Sequence, residues 1–142
     1  MTTMLSKKEL EQISESIRSA EAHTSGEIRV CVARQCKGDP LEAAFRKFTQ
    51  LKMEATELRN GVLLYVSPAG HKAAIWGDQG IHGATRSDFW DEVLEEMLPF
   101  FREERITDGI CRGVNRVGEL VKAQYPVSEN DINELSDEVI LE

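Results

Sequence analysis

The chain has 142 residues, a net charge of −8 and a pI near 5.0. A chain of this length suits a single domain whose core needs neither disulfide bonds nor a structural metal. The acidic surface disfavours nucleic acids and anionic membrane faces and suits cations such as divalent metals, although acidity also serves simply to keep a small protein in solution.

The first predicted element is an amphipathic helix over about Lys7–Ala22. Ser6 and Glu9 form a capping-box pattern at its start, and apolar residues then recur at helical spacing. A short strand follows over Ile28–Val32, where apolar residues alternate with other residues. The beginning of the chain therefore predicts a helix that leads directly into a strand.

A second helix is predicted after Asp39 and Pro40, an N-cap followed by a proline at the first helical position. The continuous apolar run Val62–Val66 is typical of a central strand that is buried on both faces. A short turn leads to a third strand, Ala73–Trp76, which is expected to run antiparallel to the second.

Two more helices complete the predicted domain. The first is predicted to have Ser87 as its N-cap, and the second to have Thr107 or Asp108 as its N-cap and to end at Pro126. Large apolar side chains on these helices and strands are expected to form the core. The aromatic members of this predicted core are Phe45, Phe48, Trp76, Phe89 and Trp90.

We divide the chain into an α/β domain over residues 1–126 and an acidic amphipathic segment over residues 127–142. The segment keeps Ile132, Leu135 and Val139 at helical spacing. Two interpretations are open: a helix that packs on the domain, or a helix that seeks a protein partner.

The element order predicts an α/β fold, namely a three-layer α/β/α sandwich around a small mixed sheet of about three or four strands. The first two strands are joined by a helix and are expected to be parallel, with a right-handed crossover. These directions place Glu27, Asn60 and Asp78 at the same end of the sheet. That end is opposite to the carboxyl ends of the parallel strands, where α/β proteins usually bind ligands.

Carboxylate and amide oxygens are the ligands that Ca²⁺ and Mg²⁺ prefer, so Glu27, Asn60 and Asp78 are candidate metal ligands. Asp108 would complete the set if the last helix begins beside it, although aspartate is also a common N-cap. The alternatives are local: Glu27 caps a turn, and Asn60 with Gly61 makes a tight bend.

Other chemistries are weakly supported by the sequence. The histidines lack zinc-binding spacing, and neither a cysteine phosphatase loop nor a G-x-S-x-G elbow is present. We therefore assign no catalytic residue and no organic cofactor. Cleavage of phosphate esters would need a metal to activate water, with Arg59 balancing the phosphate charge; a surface or ion-paired role for Arg59 is the alternative.

The N-terminal sequence lacks the apolar core of a secretory signal, and no stretch approaches the roughly 18 apolar residues of a membrane span. Cys31, Cys36 and Cys111 are the three cysteines, an odd number. Without a signal peptide this favours reduced thiols, and we predict a cytoplasmic protein.

Three stretches, AEAHTSGEIRV, TELRNGVLLYV and IWGDQGIHG, followed by a late TDGI, resemble the TPM domain family in their order and spacing. The resemblance covers about residues 6–126. That family is shared by thylakoid lumen proteins of photosystem repair and by many bacterial proteins, and it implies an α/β/α sandwich. Its members are linked to divalent-metal binding, and a phosphatase activity has been proposed for a plant member. The resemblance implies polar motif residues at Glu27, Arg59, Asn60, Asp78 and Asp108.

We therefore expect a module that binds Ca²⁺ or Mg²⁺ at the edge formed by Glu27, Asn60 and Asp78. The alternative hypotheses are a metal-dependent phosphatase at the same edge and a protein-interaction module without catalysis. Many relatives carry a signal peptide and a membrane anchor, which this sequence does not show. Localisation and partners are therefore not carried over from the family.

Overall fold

In a computed structural model of the chain, the residues described are 5–56, 58–82, 89–126 and 138–142, with only the backbone of His82. Their helices and strands are α1 (Lys7–Glu21), β1 (Glu27–Val32), α2 (Pro40–Gln50), β2 (Gly61–Ser67), β3 (Lys72–Gly77), α3 (Gln79–His82), α4 (Phe89–Arg102), α5 (Ile106–Gln124) and β4 (Ile140–Leu141). Two short 3-10 turns add Met53–Ala55 and Pro68–Gly70.

The strands form one four-stranded mixed sheet in the order β3-β2-β1-β4. β1 and β2 are parallel, with Glu27 opposite Gly61. β2 and β3 are antiparallel, with Val62 opposite Gly77. Both predicted strand directions are confirmed. β4 pairs in parallel with the end of β1 and was not predicted as a strand.

Helices cover both faces of the sheet, which confirms the predicted α/β/α sandwich. Alternate side chains of β1 point to opposite faces. Ile28 and Val30 lie in the main core beneath α1, α4 and α5. Cys31 and Ala33 lie in a smaller core beneath α2. Among the helices of the described residues, none is long and apolar enough to cross a membrane.

The helix starts follow from local capping. The Ser6 hydroxyl accepts a hydrogen bond from the Glu9 amide at 3.1 Å, and the Glu9 carboxylate accepts one from the Ser6 amide at 2.9 Å. At α2 the Asp39 carboxylate accepts from the Leu41 amide at 3.2 Å. These bonds satisfy helix amides that have no partner within the helix. Both helices therefore begin where the sequence predicted.

The start of α5 differs from the prediction. α5 begins at Ile106 after Arg105, so Thr107 and Asp108 both lie in its first turn. The prediction that one of them is the N-cap was wrong. Instead, the Asp108 carboxylate accepts a hydrogen bond from Arg105 Nε at 3.0 Å. Ser87, the predicted cap of the preceding helix, lies outside the described residues.

One apolar stripe is only partly covered. Phe45 was expected in the core, but it is 48% exposed, and Leu41 on the same helix is 45% exposed. Phe48 is buried as predicted. The apolar surface of α2 is thus wider than the part of the sheet it covers, and its outer portion faces an open groove.

The end of the chain is held against the sheet. Val139 is partly buried against the main core. The Glu142 carboxylate accepts a hydrogen bond from the Tyr65 hydroxyl at 2.9 Å and forms an ion pair with Lys47 Nζ at 2.6 Å. The other members of the predicted C-terminal stripe lie outside the described residues: Ile132 and Leu135.

The first prediction concerns the α1 cap. Ser6→Ala removes the acceptor of the Glu9 amide and should lower the free energy of unfolding by about 1 kcal/mol. Chemical denaturation measures the change. Ser19→Ala, at an exposed position within the same helix, is the matched control and should be neutral or slightly stabilising. An equal loss in both variants would contradict the capping argument.

The second prediction concerns pH. Partial burial alone would raise the pKa of Glu142, but hydrogen bonds from Lys47 and Tyr65 outweigh it and hold the pKa below its ordinary value. A lowered folded pKa stabilises above the unfolded value, and this stability is lost as the pH falls below about 4.3. Acid should therefore loosen β4 first.

Hydrogen exchange of the amides at positions 140 and 142 reports this loosening, because the Glu142 amide donates to the Val32 carbonyl at 3.0 Å and alternation directs the Ile140 amide to β1 as well. In Glu142→Gln the protection factors of these amides should already be low near neutral pH and should not fall further in acid. Glu42→Gln, on an exposed surface of α2, is the control and should behave like the parent chain. Unchanged protection in Glu142→Gln would refute the proposed anchoring.

Candidate functional site at the amino end of the parallel strands

The structure places Glu27, Asn60 and Asp78 at one end of the sheet, as the strand directions predicted. Glu27 begins β1, Asn60 precedes β2 and Asp78 follows β3. The Glu27 amide donates to the Asn60 carbonyl at 3.3 Å, and the Asp78 amide donates to the Gly61 carbonyl at 2.9 Å. The three residues are only 2%, 1% and 4% exposed, respectively. Buried polar side chains so close together need compensating interactions.

Asp108 is not brought together with these three residues. At the start of α5 the Thr107 hydroxyl donates to the Glu9 carboxylate at the start of α1, at 2.9 Å. Beyond the C-terminal ends of α1 and α5, Thr24 forms an isolated β-bridge with Pro126. The two helices therefore run parallel to each other, and the length of α5 lies between Asp108 and the sheet end. At 1.5 Å per residue this separation is about 24 Å along α5.

Arg59 and Asp78 form a two-point ion pair. Arg59 Nε lies 2.7 Å from Asp78 Oδ2, and a terminal nitrogen of Arg59 lies 2.9 Å from Oδ1. Asp78 Oδ1 also accepts from the Gln79 amide at 2.8 Å. The hydrogen bond to Asp78 raises the pKa of Arg59. Of the two roles open for Arg59 from the sequence, ion pairing is the one that the structure shows.

The backbone around Arg59 is held in an uncommon conformation. Arg59 has a positive φ of 51°, a region that non-glycine residues seldom adopt. Its amide donates to the Thr56 carbonyl at 3.2 Å, and its carbonyl accepts from the Gly80 amide at 2.9 Å. The Tyr125 hydroxyl donates to the Gly80 carbonyl at 2.7 Å. The loop before β2 is thereby tied to the segment after β3 and to the end of α5.

Two oxygen atoms near Arg59 were not predicted as part of a site. Glu54 Oε2 and Thr56 Oγ1 are buried and have no hydrogen-bond partner in the described part of the chain. Glu54 and Arg59 line the same groove, and the charge of Glu54 contributes to the raised pKa of Arg59. A buried polar atom without a partner costs about 1–3 kcal/mol. Their position in an irregular segment gives no periodic pattern by which the sequence could identify them.

The sheet end opens into a groove along β3. The groove has a volume of about 800 Å³, and Glu54, Arg59 and Asp78 lie among its lining residues. Within the described ranges, no three His, Cys, Asp or Glu side chains form a group that could hold a metal ion. A cation at this edge would therefore need hydroxyl, carbonyl or water oxygens in addition to carboxylates.

The cysteines contribute no reactive group to this site. Cys31 is fully buried, and burial raises the pKa of its thiol to about 12. Burial also raises the pKa of Cys111. Since the thiolate is the reactive form, both thiols are weak nucleophiles at neutral pH. Cys31 is the core residue that its apolar neighbours predicted.

The third prediction tests the tie between the two loops. A Cβ at Gly80 would lie 2.6 Å from the carbonyl oxygens of both Arg59 and Leu58. Gly80→Ala should therefore shift the Arg59 loop and lower the free energy of unfolding by about 1–3 kcal/mol. At Gly70 the nearest atom would be 3.7 Å away, so Gly70→Ala is the matched control and should be tolerated. Equal stabilities in a denaturation experiment would contradict this packing.

Comparison with known proteins identifies relatives of the whole chain. The TPM domain profile matches residues 1–120. The NMR structure of the BA42 protein from the psychrophilic bacterium Bizionia argentinensis is similar, with a TM-score of 0.91 and 32% sequence identity. The match covers 100% of this chain and 98% of BA42. No curated protein matches the chain.

Two more distant solution structures share the fold. The N-terminal domain of cg2496 from Corynebacterium glutamicum has a TM-score of 0.64 at 14% identity, over 82% of this chain and 74% of that one. The N-terminal domain of a P. gingivalis protein has a TM-score of 0.67 at 16% identity, over 86% and 79%. At these identities the likeness concerns the fold alone.

Proposed function

This chain belongs to the TPM domain family, and on that premise we propose that it binds a divalent cation, Ca²⁺ or Mg²⁺, at the sheet end that carries Glu27 and Asp78. The observation that supports the proposal is the collection of buried oxygen atoms there. Two carboxylates are almost fully buried, and two further oxygens, on Glu54 and Thr56, have no hydrogen-bond partner among the described residues. Hard cations prefer oxygen ligands of these kinds.

The pleat of the sheet supports a shared face for the two carboxylates. Cys31 of β1 and Trp76 of β3 belong to the smaller core beneath α2. Because side chains alternate along a strand, Glu27 and Asp78 are expected on the face of the sheet that α2 covers. The Met53–Ala55 turn packs against α2 and carries Glu54 to this side.

Asn60 has a different role in this proposal. Val62 of β2 lies in the main core, on the other face of the sheet, and alternation places Asn60 on that same face. Its amide nitrogen donates to the Ser25 carbonyl at 3.3 Å. We therefore assign Asn60 to holding the loop before β1, and we leave Asp108 out of the site because α5 separates it from the sheet end.

Arg59 acts as an internal competitor for the cation. Both oxygens of Asp78 accept hydrogen bonds from Arg59, so Asp78 has to exchange a guanidinium for the metal. The exchange opposes binding, since charge-assisted two-point pairs are among the stronger hydrogen bonds. Affinity for the cation should consequently be limited by Arg59 and should rise when Arg59 is removed.

A metal-dependent phosphatase is a second hypothesis, and the same ion pair favours it in one respect. Transfer of Asp78 to a cation would free the Arg59 guanidinium to pair with phosphate oxygens. Hydrolysis of a generic phosphomonoester should then require the metal and fall sharply in Asp78→Ala. Activity that persists unchanged in that variant would exclude this role for the sheet end.

The fourth prediction is a metal titration followed by backbone NMR. Ca²⁺ or Mg²⁺ should shift the amides around Glu27, Thr56 and Asp78. Asp78→Asn keeps the shape of the side chain but removes its charge, and it should weaken binding roughly 10- to 100-fold. Asp108→Asn is the matched control at the far end of α5 and should bind like the parent chain.

Removal of Arg59 should change the affinity for the cation in the opposite direction. Arg59→Ala should bind the cation more tightly than the parent chain, because Asp78 no longer has to release a guanidinium. Shifts confined to the other end of the sheet, or equal affinities in Asp78→Asn and the parent chain, would overturn the proposal.

A further inference from the structure

One edge of the sheet is open. Among the strands of the described residues, β3 is the outermost on its side and pairs only with β2. The hydrogen bond from the Asp78 amide to the Gly61 carbonyl fixes which residues of β3 face β2. By antiparallel alternation, Trp76 and Ala74 also bond to β2, whereas Ala73, Ile75 and Gly77 direct their amides and carbonyls outward. In the described ranges, no other backbone group bonds to these three.

Helices flank this edge on both faces. On the α2 side, Phe45 stands against Trp76 with their ring centroids 4.6 Å apart. On the other side, Trp90 and Leu94 of α4 line the groove. The outward backbone groups of β3 therefore lie at the bottom of an apolar groove of about 800 Å³. An unpaired strand edge of this kind is a template for another strand.

Two polar atoms in the groove lining need partners. Trp90 Nε1 is a buried donor and Glu54 Oε2 a buried acceptor, each without a hydrogen-bond partner within the described part of the chain. A peptide main chain offers carbonyls to the first and amides to the second. A purely apolar ligand would leave both unsatisfied.

The groove and the pocket beside it carry more acidic than basic side chains. Glu54, Asp78 and Asp91 line the groove with one basic residue, Arg59, which pairs with Asp78. The adjoining pocket adds Asp39, Glu42 and Arg46. The remaining negative charge attracts a cationic partner. It opposes a second copy of the chain, whose own groove would meet it with the same sign.

We propose that this groove binds an extended, apolar segment of a protein partner, flanked by lysine or arginine, which adds a strand to β3. Strand addition of this type draws affinity from main-chain hydrogen bonds and specificity from side-chain pockets. Because helices cover both faces of the edge, consecutive residues of the segment are apolar, as in a central strand. The proposal goes beyond cation binding and does not require it; since Glu54 Oε2 is offered to both ligands, the peptide and the cation compete for that atom.

The fifth prediction uses a short peptide of alternating valine and alanine residues with lysines at both ends, titrated in the presence of EDTA. The amides of Ala73, Ile75 and Gly77 should shift and become protected from hydrogen exchange. Ala73→Pro removes one outward donor without touching the ladder to β2, and proline is tolerated at such edge positions. It should weaken binding about five- to tenfold.

Three further measurements keep the test decisive if Ala73→Pro disturbs the strand. Phe45→Ala shortens an exposed groove wall and should weaken binding while the fold is retained. A peptide N-methylated at alternate residues along its pairing edge loses its donors and should bind the parent chain at least tenfold more weakly. The peptide without N-methyl groups, but with glutamates in place of its lysines, should also bind more weakly than the lysine-flanked peptide.

Several results would overturn the proposal. Equal binding of the N-methylated and unmodified peptides would exclude strand addition, and shifts located away from β3 would exclude the groove. Concentration-dependent protection of the Ile75 amide in the free protein would show that a second copy occupies the edge. If the peptide bound only when EDTA was omitted and Ca²⁺ or Mg²⁺ was added, its binding would depend on the cation, which would contradict the proposal.

Discussion

The parallel ladder between β1 and β2 determines the position of every group that bears on function. It fixes Glu27 beside Asn60 and Gly61, and it requires α2 to cross over one face of the sheet. β3 then returns antiparallel and brings Asp78 back to the same end. Three residues that are far apart in sequence become neighbours because strand direction, rather than sequence distance, decides which loops meet.

Arg59 offsets the cost of burying the Asp78 carboxylate at this end of the sheet. Its guanidinium pairs with Asp78, while Glu54 and Thr56 keep buried oxygens without partners among the described residues. The cluster is therefore only partly compensated, and incomplete compensation of buried polar atoms is typical of positions kept for binding rather than stability. Under the proposal made above, a cation would complete the cluster, and Arg59 would limit how tightly it binds.

The two edges of the sheet are treated differently. Beside β1, the short strand β4 is anchored by Glu142 through Lys47 and Tyr65. Beside β3, no strand pairs within the described ranges, and α2 and α4 leave a groove there. Phe45, which its helical periodicity assigned to the core, and Leu41 on the same helix are exposed, since none of the described elements covers them. Misassigned core residues on α2 thus mark the surface that we propose for a peptide.

The sequence by itself determined the features that depend on near neighbours. Ser6 and Asp39 start their helices through bonds to adjacent turns, alternation identifies β1, and the helix between β1 and β2 makes them parallel. The family also follows from motif order, and the TPM domain match bears it out. Only the tertiary structure decided that Arg59 forms an ion pair with Asp78, that Asp108 lies at the far end of α5, and that β4 joins the sheet. Each of these depends on distances across the fold, and periodicity or capping carries no information about such distances.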